Sequence, residues 1–235
     1  MPSFQIYEIK KDFKIEDLKD KDVLNQIDVR DEDPQTLKKF IVSGKKNYRD
    51  LSFSPLNNID AAIMKFDEKI NFQDKQSLWV NFEKLIIKQG HLLLIGKTEK
   101  KIEKLIQIYL RDIASSKPVI FKDKQLWQIW RKLNSNSTDN LEFKLHRVIL
   151  KNTFIDADKI SELNIHANNV GSLGIIGDLI KQSERINAMT IKIKGFYSGN
   201  RWTTVRIDKS GSMLIYGKHE SNIIIEFLDL LIQSI

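Results

Sequence analysis

Apolar positions along the 235-residue chain recur with two periods. Alternation of apolar and polar residues, the period of a half-buried strand, marks Ser3–Lys10, Ile59–Phe66, Leu78–Lys88, His91–Ile95, part of Leu141–Thr153, Met189–Phe196, Trp202–Asp208 and Ser212–Tyr216. Apolar residues three and four apart predict helices over Ile15–Ile27, Gln35–Val42, Glu99–Ile113, Lys122–Leu133, Asp156–Leu163, Ser172–Ile186 and the last fifteen residues. Asp156 and Asp158 supply helix-cap chemistry before one of these runs. Ser43–Asn58 carries Gly44 and Pro55 and reads as a loop, Ser115–Phe121 as a connector with one short strand, and Asn164–Val170 as polar without a clear period.

One unit occurs twice. Gly-x5-Gly-Lys-x-Glu followed by an amphipathic run appears at Gly90–Ile113 and at Gly211–Ser234, with seven of 24 aligned positions identical. In each copy the first glycine suits a turn that demands positive φ, five residues run on as a strand, and the second glycine ends it. Glu99 and Glu220 then fall where a negative charge favours a helix start. Both copies describe a β-hairpin running into a helix. The preceding strand begins near a tryptophan in each, Trp79 and Trp202.

The order of elements therefore predicts an α+β protein of two tandem, pseudo-symmetric halves, each an antiparallel sheet backed by helices. The first repeat is expected over 1–117 and the second over 141–235. Between them, 118–140 is a connector holding a short helix with Trp127 and Trp130 and the polar run Asn134–Asn140. Trp127 and Trp130 are either an exposed interaction stripe or a core anchor; the anchor is the commoner use of such a pair.

Composition narrows the class. Hydrophobic residues make up 41% and charged residues 29%, as in an ordinary globular protein. There is no run of 18 apolar residues and no apolar signal core, so neither a membrane span nor secretion is expected. Cysteine is absent, which excludes disulfides and thiolate metal sites and fits a cytoplasmic, microbial protein. The net charge is +7, spread over both halves, which permits phosphate contacts and equally describes a solvated lysine-rich surface.

The second half resembles one repeat of the TATA-box-binding protein family. Thr203, Thr204, Ile207, Ser210 and Gly211 match that family's "TTALIFASG" stretch, and Gly217, Lys218 and Glu220 resemble its "GAKSE". In the first half Ala61–Phe66 (AAIMKF) is similar to its "AAxIMRI" strand, and Gly90, Gly96, Lys97 and Glu99 to the hairpin. The resemblance covers about a third of the chain. It implies a saddle whose sheet faces DNA, with phenylalanine wedges that kink the duplex. The wedge positions fall here on Asp208 and Ile87, and an aspartate repels phosphate instead of wedging between bases.

The residues themselves point to one surface. Thr190, Lys192 and Lys194 share one face of their strand, and Trp202, Thr204, Arg206 and Asp208 share one face of the next. With Tyr197 and Arg201 they mix cations and aromatics, as phosphate contact plus base stacking requires. Lys192, Lys194, Arg201, Trp202 and Arg206 are the candidate nucleic-acid-binding residues. Catalysis finds little support. His91, His146, His166 and His219 lack metal-ligand spacing, His166 reads as a loop residue, and Gly171-x-x-Gly174-x-x-Gly177 is neither a dinucleotide nor a P-loop signature. The acidic run Asp28–Asp33 lacks the spacing and glycine of a calcium loop. The expectation is a non-enzymatic protein that binds nucleic acid, DNA or RNA, through a basic sheet face, with no cofactor and no metal. The alternative is a protein-interaction subunit of a microbial defence or regulatory complex, docking its protein partner through the same faces.

Overall fold

The computed structural model describes residues 3–18, 24, 27, 35–56, 60–73, 76–135, 137, 141–155, 158–195 and 202–217. The strands are β1 (Ser3–Glu8), β2 (Tyr48–Pro55), β3 (Ala61–Asn71), β4 (Ser77–Gln89), β5 (Leu92–Gly96), β6 (Leu141–Ile155), β7 (Asp158–His166), β8 (Ser183–Gly195), β9 (Trp202–Asp208) and β10 (Ser212–Tyr216). The α-helices among the described residues are α1 (Gln35–Asn47), α2 (Lys100–Tyr109), α3 (Gln125–Ser135) and α4 (Ile176–Gln182).

This corrects the expected architecture. The ten strands form one antiparallel sheet in the order β2-β3-β4-β5-β1-β10-β9-β8-β6-β7, and strand dominates over helix. The chain is not two helix-backed halves of the TATA-binding-protein type. Two strands were not expected, β2 and β7. Of the segment expected as a helix over Asp156–Leu163, the described part from Asp158 on pairs with β6 instead, and the helix expected over Ser172–Ile186 shrinks to α4, with β8 already starting at Ser183. The closing helix of the second repeat, Lys218, Glu220 and the acidic run Asp28–Asp33 lie outside the described residues.

Chain contacts divide the protein into two compact units, residues 7–117 and residues 1–6 with 118–235. In the 7–117 unit, β2 to β5 follow one another as antiparallel neighbours. Tyr48, Leu51, Phe53, Met64, Phe66, Ile86, Leu93 and Ile95 bury one side, and α2 packs Ile102, Leu105 and Ile106 into the same core. The Tyr7 hydroxyl donates to Glu103 Oε1 (2.8 Å) and accepts from Gln107 Nε2 (2.9 Å), which pins α2. Burial, the Glu103 hydrogen bond and its charge push the Tyr7 phenol well above its ordinary range.

In the other unit the strand order is β1-β10-β9-β8-β6-β7. Phe143, Leu145, Val148 and Leu150 of β6, Met189, Ile191 and Ile193 of β8, Val205 and Ile207 of β9, and Met213 and Ile215 of β10 are buried. Helices α3 and α4 pack on β6 and β8 and bury Leu126, Ile129, Trp130, Leu133, Ile176 and Ile180. Trp130 is a core residue, 3% exposed, and Trp127 is half-buried. The Trp130 ring fills the space where a Gly171 side chain would lie, at 2.8 Å, so this glycine serves close packing.

Both repeat glycines do what their spacing predicts. Gly90 closes the β4–β5 hairpin at φ +54°, and Gly211 closes the β9–β10 hairpin at φ +71°. They differ in surroundings. A Cβ on Gly90 meets nothing within 4 Å, while one on Gly211 lies 2.3 Å from the Val119 carbonyl oxygen. The second turn is clamped: Gln5 Nε2 donates to the Ser210 carbonyl (2.7 Å), and the Ile6 N–H to the Gly211 carbonyl (3.1 Å). Gly90→Ala is expected to lose about 1–2 kcal/mol, the cost of a left-handed alanine. Gly211→Ala is expected to lose clearly more, because backbone must also move. Urea unfolding of the two variants checks this, and equal midpoints would contradict it.

Candidate nucleic-acid interface

Four of the five residues expected at the site come together on one face of β8 and β9. The antiparallel register places Lys194 opposite Trp202, Lys192 opposite Thr204, and Thr190 opposite Arg206. Directly opposed residues project to the same side of a sheet. Their neighbours Ile191, Ile193, Thr203, Val205 and Ile207 project to the other side and are buried. Arg201 and Tyr197 lie outside the described residues.

The face extends onto β6, which sequence reasoning did not include. Glu142 stands opposite Lys194 and Lys144 opposite Lys192. The Lys144 ammonium lies 4.5 Å from the centre of the Trp202 ring and that of Lys194 6.0 Å, so two cations lie close to the indole. The two carboxylates that share these rows are engaged. Glu142 pairs with Lys144 at 2.8 Å. Asp208 Oδ1 accepts from the backbone N–H groups of Ser210 and Ser212, both at 3.2 Å, and from the Ser210 hydroxyl at 2.5 Å. The aspartate at the family's wedge position thus braces the β9–β10 turn.

Beside this row β6 bulges. Leu145 stands opposite Ile191 and Arg147 opposite Thr190, leaving His146 as the extra residue. A bulge breaks the alternation of sides, and here His146 and Arg147 both open into one basin of about 510 Å³. The rest of its lining is Asn164 and His166 from β7, Thr190 from β8, Thr204 from β9 and Tyr216 from β10. His166, read from sequence as a loop residue, ends an edge strand and stands opposite Arg147.

The two histidines touch. His146 Nε2 and His166 Nε2 are 2.7 Å apart, and the rings meet edge to face with centroids 4.2 Å apart. His146 Nδ1 is 2.9 Å from the Ala167 carbonyl oxygen, which can only accept, so Nδ1 carries a proton. In the neutral ring its Nε2 is then the acceptor, and His166 Nε2–H donates to it. Arg147 Nε donates to Asn164 Oδ1 at 2.9 Å, which fixes the guanidinium at the basin wall. Partial burial lowers the His146 pKa, helped by the Lys192 charge and by His166; the Ala167 hydrogen bond opposes them. Lys144, His146, Arg147, Asn164, His166 and Tyr216 are the site residues that sequence reasoning missed.

The 7–117 unit carries a smaller echo. Arg49 lies 4.4 Å over the Trp79 ring and pairs with Asp67 at 3.1 Å. Among the described residues no three histidines, cysteines or carboxylates gather where they could hold a metal ion. No described helix is long and apolar enough to cross a membrane. The chain matches no protein-family model, and no curated protein matches it.

The lowered His146 pKa has a consequence for stability. Above the unfolded value of 6.5 the ring is neutral in both folded and unfolded chain, and its buried contacts are intact. As pH falls below 6.5 the unfolded chain takes up the proton first, so stability declines until the folded ring also titrates. Between pH 6.5 and about 5.5 ordinary carboxylates remain almost wholly ionised, and Glu68, whose pKa burial raises, acts in the opposite sense, so the decline in this window is assigned to His146. Thermal unfolding across it should show a falling midpoint, and His146→Gln should flatten the slope. An unchanged slope in the variant would contradict the assignment.

Proposed function

We propose that the face formed by β6, β8 and β9 binds single-stranded nucleic acid, through its phosphates and one stacked base. The observation that carries the reading is the cross-strand row Lys194–Trp202, Lys192–Thr204 and Thr190–Arg206, with Lys144 beside it. Cations spaced along adjacent strands can follow a phosphate backbone, and an aromatic ring among them gives a base a surface on which to stack. A base that stacks on Trp202 takes the place of the Lys194 ammonium, which is then released to a phosphate, while Lys144 stays with Glu142. Glu142 and Asp208 are held by other partners and oppose the strand less than free carboxylates would. A cysteine-free chain that binds nucleic acid belongs in the cytoplasm under this reading.

The test is fluorescence anisotropy of labelled single-stranded RNA, single-stranded DNA and duplex DNA across a salt series. Single strands should bind more tightly than duplex, with affinity falling steeply as salt rises. The Lys192→Ala/Lys194→Ala/Arg206→Ala triple variant should lower the slope of log affinity against log salt by about two, since each phosphate contact on a single strand contributes roughly 0.7. No binding at low salt, or binding that the triple variant leaves unchanged, would overturn the reading. Binding of a protein partner that is indifferent to salt would favour an interaction subunit instead.

A further inference from the structure

The basin next to the basic row differs from the row itself. It is concave, it is built by a bulge, and its lining is made of neutral and cationic hydrogen-bonding groups with no carboxylate: His146, Arg147, Asn164, His166, the hydroxyls of Thr190 and Thr204, and Tyr216. The bulge is the telling feature. A regular strand at this point would send His146 and Arg147 to opposite sides, one of them into the core. The extra residue brings both to the basin, and backbone pairing fixes them there: the Ala167 N–H donates to the His146 carbonyl at 3.2 Å, while the His146 ring donates back to the Ala167 carbonyl. Asn164 holds Arg147 in turn. Hydrogen-bond donors around a hollow suit an anion with several acceptor oxygens, and the Arg147 guanidinium is already held in place there.

We propose that this basin is an oxyanion subsite that takes one phosphodiester group of the bound strand, and that the His146–His166 pair takes up a proton as the phosphate enters. The inference rests on the nucleic-acid reading of the adjacent row and names what the basin beside it recognises. The proton balance follows from the hydrogen bonds. In the empty pair one Nε2–H is spent on the other ring's lone pair, so the two imidazoles offer the basin little positive charge. An entering phosphate favours the state in which His146 Nε2 is protonated as well, one proton more than in the empty pair. The Nε2···Nε2 contact then opens, because neither nitrogen can accept, and both N–H groups turn to phosphate oxygens. The proton comes from solvent, and no covalent bond to the ligand forms or breaks. The charged and titratable groups around the pair are Arg147 on β6, Lys192 on β8 and Tyr216 on β10, with Glu162 of β7 acting on Arg147 and Arg206 of β9 opposite Thr190. The Lys192 charge disfavours a proton on His146, and the phosphate charge opposes that effect.

Sulfate is the suitable probe for the full chain, because its charge is constant between pH 5 and 8. Imidazole C2–H resonances of the four histidines are followed through a pH titration in sulfate and in chloride at matched ionic strength. The His146 and His166 midpoints are expected to rise in sulfate, while His91, in the other unit, stays where it is. Arg147→Gln, which keeps the bulge and the pair, should abolish the rise. Equal shifts at all histidines, or none, would overturn the subsite. A second arm measures single-stranded RNA affinity against pH. It should rise by up to about tenfold per pH unit on acidification, the limit for one proton taken up, and His166→Gln should remove that dependence. RNA binding that is intact but indifferent to pH, with no sulfate-linked shift, sinks the subsite and leaves the basic row standing. A sulfate-linked shift without RNA binding sinks the nucleic-acid reading and leaves an anion site.

Discussion

The polar face of the 1–6 and 118–235 unit depends on the register in which β8 lies between β6 and β9. Side chains alternate sides with a period of two, so a slip of one residue would bury Lys192 and Lys194 and expose Ile191 and Ile193. That outcome is costly on both sides of the sheet. Buried lysines without partners are strongly unfavourable, and each exposed isoleucine forfeits about 1.5–3 kcal/mol of burial. The apolar residues under α3 and α4 thus fix the position of the cations on the other face. The turn between β9 and β10 reinforces the register, with Gly211 at positive φ against Val119 and Asp208 bracing the backbone after it.

One irregularity within that register creates the concave part of the site. The extra residue in β6 aims His146 and Arg147 to the same side, and β7 supplies Asn164 and His166 to meet them. The flat part offers charge and an aromatic ring, and the concave part offers fixed donors. The two parts share Thr190 and Thr204, and Lys192 of the row lowers the His146 pKa from beside the basin.

Much of this was legible in the chain and some was hidden for identifiable reasons. β9 and β10 alternate without interruption, and their bounds could be read directly from the residues. The turn glycines were legible because only glycine tolerates those φ values at low cost. β2 and the middle of β6 were obscured by one cause. In β2 the buried residues Tyr48, Leu51 and Phe53 are put out of phase by an irregularity between Arg49 and Ser52, where Asp50 takes φ +54°. In β6 the polar pair His146–Arg147 interrupts the same alternation. Two consecutive polar residues inside an alternating run were the available signal of a bulge, and with it of the histidine site. β7 was hidden differently. Its Ile160, Leu163 and Ile165 are only half-buried at a sheet edge, so their spacing did not mark a strand, and pairing with β6 outweighed the cap chemistry of Asp158. The single sheet of ten strands was not legible at all, because repeat spacing reports local hairpins and not which strands become neighbours.

The most direct test of the central claim uses the four tryptophans as reporters. Each gives one indole N–H resonance, and they occupy different settings: Trp202 on the proposed face, Trp130 in the core, Trp127 half-buried on α3 and Trp79 in the other unit. Titration of the protein with single-stranded RNA should shift the Trp202 resonance progressively and leave those of Trp130 and Trp79 in place. A Trp202 resonance that stays fixed at saturating RNA, or a shift confined to Trp79, would contradict the account.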